Sequence, residues 1–486
     1  MLWIFASLPL LLLTLGAWYL SGLAIVRNVL RINSGLTVFV LSLPVGMMLN
    51  LVLVNAVAHL IFFPISSWII VIGTIPASLF FLRHPQPPLN WEISIRQRLV
   101  LLAALLLLVL GIFYINAREI WGDDPGHASM INLMASGEFP LLFQCNPQIR
   151  ASYGYGGDLL AAVTQVMGGI NSWDAEDVVK AATVASVVML AFLVGWRHKQ
   201  KIGAGLLSVF LIFTAAGMLW MYEPLSSAGG RYIAEQTSAL SPLPQDLDLL
   251  TSDPGHYTID TPDTPGFASY GYSERSLSWG FAPFVILFFL VMVDTPVPPF
   301  TKSVTLGIIL AMAALLHPAT LSLLFPGFII YLFFWVRARR RRRFPRLDFN
   351  PIWTLVVAFV LMIVQGGQIT DTILDKLQGI PNVMTSFMLA PFQLPSCRGE
   401  TPTVHCALLS VGTMGLVPFL IPVLLWLTWR TYKRPGWAII LLGAIVAMGT
   451  TLVTRYAYID WNIQRLIVFS VWTGAVLLGP VLYEYF

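Results

Sequence analysis

Charge is what this sequence is short of. Of its 486 residues only 11% are Asp, Glu, Lys or Arg, while 57% are hydrophobic. A soluble chain carries about a quarter charged residues, so a water-soluble globular protein is excluded, and the mean hydropathy of +0.76 agrees. Cysteine is scarce too. Cys145, Cys397 and Cys406 are the whole set, and no thiol or imidazole cluster has the spacing of a zinc site. The chain has no P-loop, no dinucleotide fingerprint, no catalytic zinc signature and no nucleophile elbow. Ionisable residues are almost missing from the interiors of the apolar runs, and no inverted repeat is visible. That weighs against a transporter or channel.

What fills the chain is apolar runs of about 18 residues or more, recurring from end to end, the pattern of a multi-span helical membrane protein. A β-barrel would alternate in short segments. The first run, LWIFASLPLLLLTLGAWYLSGLAIV, lacks a basic n-region and exceeds a secretory h-region, so it reads as a retained helix. Lys and Arg in short loops mark the cytoplasmic side. The strongest marker is RARRRRRFPR, Arg337–Arg346. Beside a span such a run signals topology or anionic lipid, and no nucleic-acid partner is expected.

Further anchors are Arg27, Arg31, the Arg83–Arg98 segment, WRHKQK at 196–201 and RTYKR at 430–434. Between them the sequence predicts spans near 2–26, 34–60, 66–82, 97–116, 177–196, 202–221 and 277–293. Six more follow near 303–316, 319–336, 351–367, 407–428, 436–454 and 466–484. The expected fold is therefore an all-α integral membrane protein of about thirteen transmembrane helices, N-terminus outside and C-terminus cytoplasmic. The apolar run 303–336 is too long for one untilted span at about 1.5 Å per residue. Splitting it at His317-Pro318 puts both flanking basic segments inside, and leaves short halves suited to broken helices. The stretch 158–170 is too short to cross and reads as a helix dipping back into the outer face.

This map places loops 117–176, 222–276, 368–406 and 455–465 on the outer side. They are long and rich in Gly, Pro, Asp and Tyr, and long ordered loops are usually functional. All three cysteines fall in them. Cys397 and Cys406 bracket SCRGETPTVHC and are placed to form a disulfide in an oxidising compartment, with Cys145 left over. Loop aromatics such as Trp121, Tyr153 and Tyr272 either stack on sugars or, more ordinarily, form an interfacial belt.

One stretch departs from its surroundings: WGDDPGH, residues 121–127, with Asp123, Asp124 and His127 just beyond a span. Its DPGH returns at Asp253–His256 on the same expected side. Asp-Pro-Gly is ordinary turn chemistry, and that reading suits the second copy. After the first copy an apolar helix resumes as HASMINLMASGEF, with Met130, Leu133 and Met134 on one face. It should lie along the interface and hold the two carboxylates at fixed depth.

A span, an acidic pair in the first large outer loop and an interfacial helix ending in GEFP together resemble the GT-C superfamily of membrane glycosyltransferases. Protein O-mannosyltransferases, lipid A aminoarabinose transferases and oligosaccharyltransferases belong to it. ASYGYGGDLLAAVTQVMGGI is similar to the helix that follows the acidic loop in many members. LLHPATLSLLFPGFIIYL resembles a His-Pro helix of bacterial relatives, and RYAYIDWNIQRLIVF a late Arg-bearing loop near the lipid phosphate. The likeness covers roughly residues 97–486, so residues 1–96 form three additional N-terminal helices. GDDPGH departs from the pattern, because Pro and Gly follow the acids where many members continue into helix.

The resemblance implies transfer of a sugar from a polyprenyl-phosphate donor to an acceptor on the outer face of a membrane, expected to be a bacterial plasma membrane. Asp124, or else Asp123, would act as base or hold the acceptor or a divalent cation; no other cofactor is implied. A carboxylate at the low-dielectric bilayer edge has a raised pKa and is a better base near neutral pH. Arg455 and Arg465, then Arg231 and Arg275, are candidates to clamp the leaving phosphate, for which Arg offers bidentate geometry. For Arg455 and Arg465 the plain alternative is snorkelling at a helix end. His127 is a candidate substrate contact, as is His317, whose plain alternative is a hydrogen bond to backbone freed at the helix break. A non-catalytic scaffold of the same shape stays open, since fold likeness is not activity.

Overall fold

The structure, a computed structural model, describes residues 2–84, 86–116, 124–143, 146–150, 154–214, 277–338, 346–379, 387–389, 416–456 and 461–486. Helices form along the apolar runs, where each backbone N–H and C=O must find its partner within its own segment. In chain order they are α1 (Leu2–Ala24, continued by a π turn over Ile25–Val29), α2 (Gly35–Ala58), α3 (Phe63–Leu82) and α4 (Ile95–Asn116). Next come α5 (Asp124–Ser136), the strands β1 (Leu142–Phe143) and β2 (Asn146–Arg150), α6 (Gly156–Gly168), α7 (Ser172–Lys199) and α8 (Ile202–Thr214). The second half holds α9 (Leu277–Asp294), α10 (Pro299–Leu316), α11 (Pro318–Ala338), α12 (Pro351–Val364), α13 (Gly367–Gln378) and strand β3 (Phe387–Leu389). It closes with α14 (Val417–Leu427, followed by a π turn), α15 (Pro435–Val453), strand β4 (Thr454–Tyr456) and α16 (Trp461–Tyr485).

Polar residues and prolines set the ends. Side-chain oxygens of Ser34, Asn171 and Asn350 cap α2, α7 and α12 by accepting the N–H of Thr37, Asp174 and Ile352. Helices α3, α10, α12, α14 and α15 carry Pro in the first turn, where an N–H has no helical partner anyway. Among the described residues, eight helices are long and apolar enough to cross a membrane, and α12 with α13 adds a ninth if the bent pair is one span. The chain is thus an all-α, multi-pass membrane protein, with strands confined, among the described residues, to the antiparallel pairs β1–β2 and β3–β4.

At the centre lies α9, buried without a break from Phe281 to Val293 and packed by α7, α10, α15 and α16. It is apolar all round, as an enclosed helix must be. Peripheral helices α3, α12 and α14 instead leave Trp68, Phe359 and Trp426 exposed. The first three helices join the same core through α6 and α7.

The basic connections gather at one end of the bundle. Arg27 reaches the carbonyl of Pro87, and Arg197 donates to Thr37 Oγ1 at 3.1 Å and to Thr295 Oγ1 at 2.8 Å. Arg434 donates to the carbonyl of Arg197, Lys302 pairs with Asp348 at 2.7 Å and Lys199 with Glu484 at 2.7 Å. Helices α5 and α6 occupy the other end: α7 runs from Ser172 beside them to Lys199 in the basic network.

Several boundaries differ from the sequence reading. The chain does break at His317, but α10 and α11 extend outward to full length, 18 and 21 residues, so neither is a short half-helix. The expected span 351–367 stops at Val364 and turns by 67° into α13, because Gly366 and Gly367 take φ of +85° and +80°. Part of the expected loop 368–406 is therefore helix α13 and strand β3, and part of 455–465 is strand β4 and the first turns of α16.

Candidate functional site

DPGH at 124–127 is not a turn but the first turn of α5, which begins at Asp124 rather than at the HASMIN segment. Pro125 suits this place: its ring presets a helical φ, and the missing N–H is one that the helix leaves unbonded. Asp124 therefore leads straight into helix. A carboxylate at a helix start is favoured by the helix dipole. Asp123 lies outside the described residues, as does the second DPGH at 253–256, and the side chain of Asp124 is not among those described.

One turn further along α5, His127 is buried, and its Nδ1 lies 2.7 Å from Oδ1 of Asp158 in the first turn of α6. Asp158 is buried as well. Burial pushes its carboxyl above the usual range, His127 pulls it back, and Glu176 of α7 adds to the upward push. Glu176 is itself buried and pairs with Lys180 one turn along α7 at 3.0 Å. Acid and base thus alternate across the junction of α5, α6 and α7. With Asp158 ionised, His127 Nδ1–H donates to it and the ring is held in one orientation, the arrangement by which a carboxylate sets a histidine's tautomer.

The first turn of α6 is pinned from its other side. A Cβ on Gly154 would stand 2.7 Å from Pro318 Cδ, and one on Gly156 would stand 3.1 Å from a Leu316 methyl. The break between α10 and α11 therefore lies directly against α6. His317 caps α10 in extended backbone, and its carbonyl accepts from Thr320 N and Oγ1. Its buried ring meets Phe469 of α16 edge-on at 5.0 Å. Between Gly154 and Gly156, the Tyr155 hydroxyl donates to Asn55 Oδ1 at 3.1 Å, while Asn55 Nδ2 donates to the Gln365 carbonyl at 2.7 Å. That carbonyl is freed by the bend between α12 and α13. Burial first, then Asp371 of α13, pushes the Tyr155 phenol up.

Arg465 sits in α16 four residues before Phe469 and so on the same helical face. Arg455 lies in β4, opposite Met388 of β3. The side chains of both arginines lie outside the described ones, and Arg231, Arg275, Cys145, Cys397 and Cys406 lie outside the described residues altogether. Among the described residues no group of three or more His, Cys, Asp or Glu is placed to hold a metal ion.

So of the residues singled out from sequence, His127 and His317 flank one element, the first turn of α6, and Asp124 heads the helix that carries His127. Asp158, Glu176 and Lys180 were missed. Asp158 had a signal, an acid inside a short apolar helix, and Glu176 with Lys180 had another, opposite charges at helical spacing. No family model matches the chain, and no curated protein matches it.

Proposed function

We propose that the protein is a membrane-embedded glycosyltransferase that moves a sugar from a polyprenyl-phosphate donor to an acceptor hydroxyl. The observation that carries this reading is the buried His127–Asp158 pair, one turn below Asp124 and braced by α6 and α7. Buried, paired titratable groups one turn from the helix start at Asp124 are an arrangement that catalysis uses. In this reading the protein has about thirteen spans, beyond the eight, or nine with the bent pair, that are long and apolar enough among the described residues. The α5–α6 end faces outward and the basic end the cytoplasm, with a bacterial plasma membrane as the setting.

Asp124 takes the proton from the acceptor hydroxyl as its oxygen attacks the anomeric carbon. The bond from that carbon to the phosphate oxygen breaks, and polyprenyl phosphate leaves with the electron pair. Arg465, on the α16 face that reaches His317, holds the departing phosphate. His127 and Asp158 fix the first turn of α5, so that the base is held at a constant place. Purified protein given labelled polyprenyl-phosphate sugars should release polyprenyl phosphate, and Asp124→Asn should abolish release while donor binding persists. No release with a broad donor panel, or full activity in an Asp123/Asp124 double variant, would overturn the assignment.

A further inference from the structure

We propose that the groove between α5 and α6 binds a neutral, hydroxyl-rich group, the saccharide part of an acceptor. Only the word acceptor rests on the transferase reading; the binding itself stands apart from it. The groove measures about 630 Å³ and is lined by Ser129, Asn132, Leu133, Ala135, Ser136 and Gln165. That volume is in the range, about 300–1,000 Å³, of small-molecule sites. The lining holds two hydroxyls, two amides and no charged side chain. A phosphate or carboxylate would find no cation there, and a cation no carboxylate.

The two amides are held in advance. Gln165 Nε2 donates to Asn132 Oδ1 at 2.9 Å, and Asn132 Nδ2 donates to Ser172 Oγ at 3.2 Å. This chain runs across α5, α6 and the start of α7, so the amide planes do not have to be ordered when a ligand arrives. Asn132 is exposed and keeps a second N–H and a second lone pair on Oδ1. It offers donor and acceptor side by side, which matches two neighbouring hydroxyls that each give and take a hydrogen bond. Ser129 stands three residues earlier on the same face of α5. Leu133 and Ala135 add an apolar surface for the C–H face of a sugar ring. The first described polar rung between α5 and α6 is His127–Asp158 and the second is Asn132–Gln165. They are about 8 Å apart along α5 at about 1.5 Å per residue, so a saccharide lying in the groove extends toward the helix start at Asp124.

Saturation-transfer NMR on the purified full chain in detergent tests this, with methyl glucoside, methyl mannoside and cellobiose as probes and glucose 6-phosphate as the charged comparison. At least one neutral glycoside should receive saturation on its ring protons. Asn132→Ala and Gln165→Ala should each weaken its binding about fivefold, the scale of one lost hydrogen bond. Ser129→Ala, which leaves the amide chain intact, should weaken it about twofold or more and serves where an amide variant does not fold. No transfer to any neutral glycoside, stronger binding of glucose 6-phosphate, or unchanged binding in the variants would overturn the proposal. In Asp124→Asn the glycoside should still bind although turnover is lost. Turnover that survives in Asp124→Asn together with glycoside binding would remove the catalytic assignment and leave the groove standing.

Discussion

His127 and Asp158 meet at 2.7 Å where both are shielded from solvent, so their proton is governed by desolvation as much as by mutual attraction. Because burial holds Asp158 above its ordinary value of 3.8, the folded protein keeps a proton there at pH values where the unfolded chain has released it. The folded state then binds more protons, so stability from this group is complete below the unfolded value and declines as pH rises through the folded one. Asp158→Asn keeps an acceptor for His127 but cannot ionise. Its melting temperature in detergent should therefore gain on the wild type as pH rises from about 4 to about 8, and a constant difference would show that Asp158 does not titrate in this way. His127→Ala takes the imidazole away from the buried carboxyl, a loss of the kind that costs about 3–5 kcal/mol when the pair is charged.

At the level of elements, two close approaches position the site. Gly154 and Gly156 let α6 lie against the α10–α11 break, and Gly366 lets the chain bend after α12 so that the carbonyl of Gln365 meets Asn55 and Tyr155. At φ of +85° a Cβ on Gly366 would also fall 2.4 Å from the Tyr155 hydroxyl oxygen. With ψ of −173° beside that φ, Gly366 lies in a region essentially reserved for glycine, so Gly366→Ala should destabilise the protein by about 1–3 kcal/mol from backbone conformation alone, and by more with the clash. Gly169→Ala is the control. Its φ of +60° and ψ of +31° are left-handed helical and its Cβ would meet nothing within 4 Å, so it should lose only the smaller cost of that conformation, about 1–2 kcal/mol. Thermal unfolding of the two variants side by side decides this; equal losses would mean that neither the Tyr155 contact nor the rarer backbone conformation of Gly366 adds a cost.

At the scale of the whole molecule, the basic network and the α5–α6 groove stand at opposite ends of one bundle. Arg197, Asp294, Lys302, Arg434 and Glu484 interlock at one end, and His127, Asp158 and the α5–α6 groove lie at the other. In a chain with Cys145, Cys397 and Cys406 replaced, Ser136→Cys and Lys433→Cys should therefore react with a membrane-impermeant maleimide from opposite sides of sealed vesicles. Labelling of both from one side would undo the architecture.

Sequence by itself determined the class and where most of the apolar helices run, because in a lipid setting an apolar run has one way to satisfy its backbone, and Pro, Asn and Ser mark where it starts. The break at His317 and the short helix at 158–170 were legible for the same reason: span length is a one-dimensional quantity. Only the tertiary structure decided the site. The bend at Gly366 and Gly367 was hidden because glycine permits a positive φ without demanding it. DPGH reads as turn chemistry with the helix resuming at His127, whereas in the folded chain α5, packed on α6, begins at Asp124. Asp158 is 31 residues from its partner His127. No periodicity links them, and what joins them is the way α6 folds back beside α5, which no local pattern encodes.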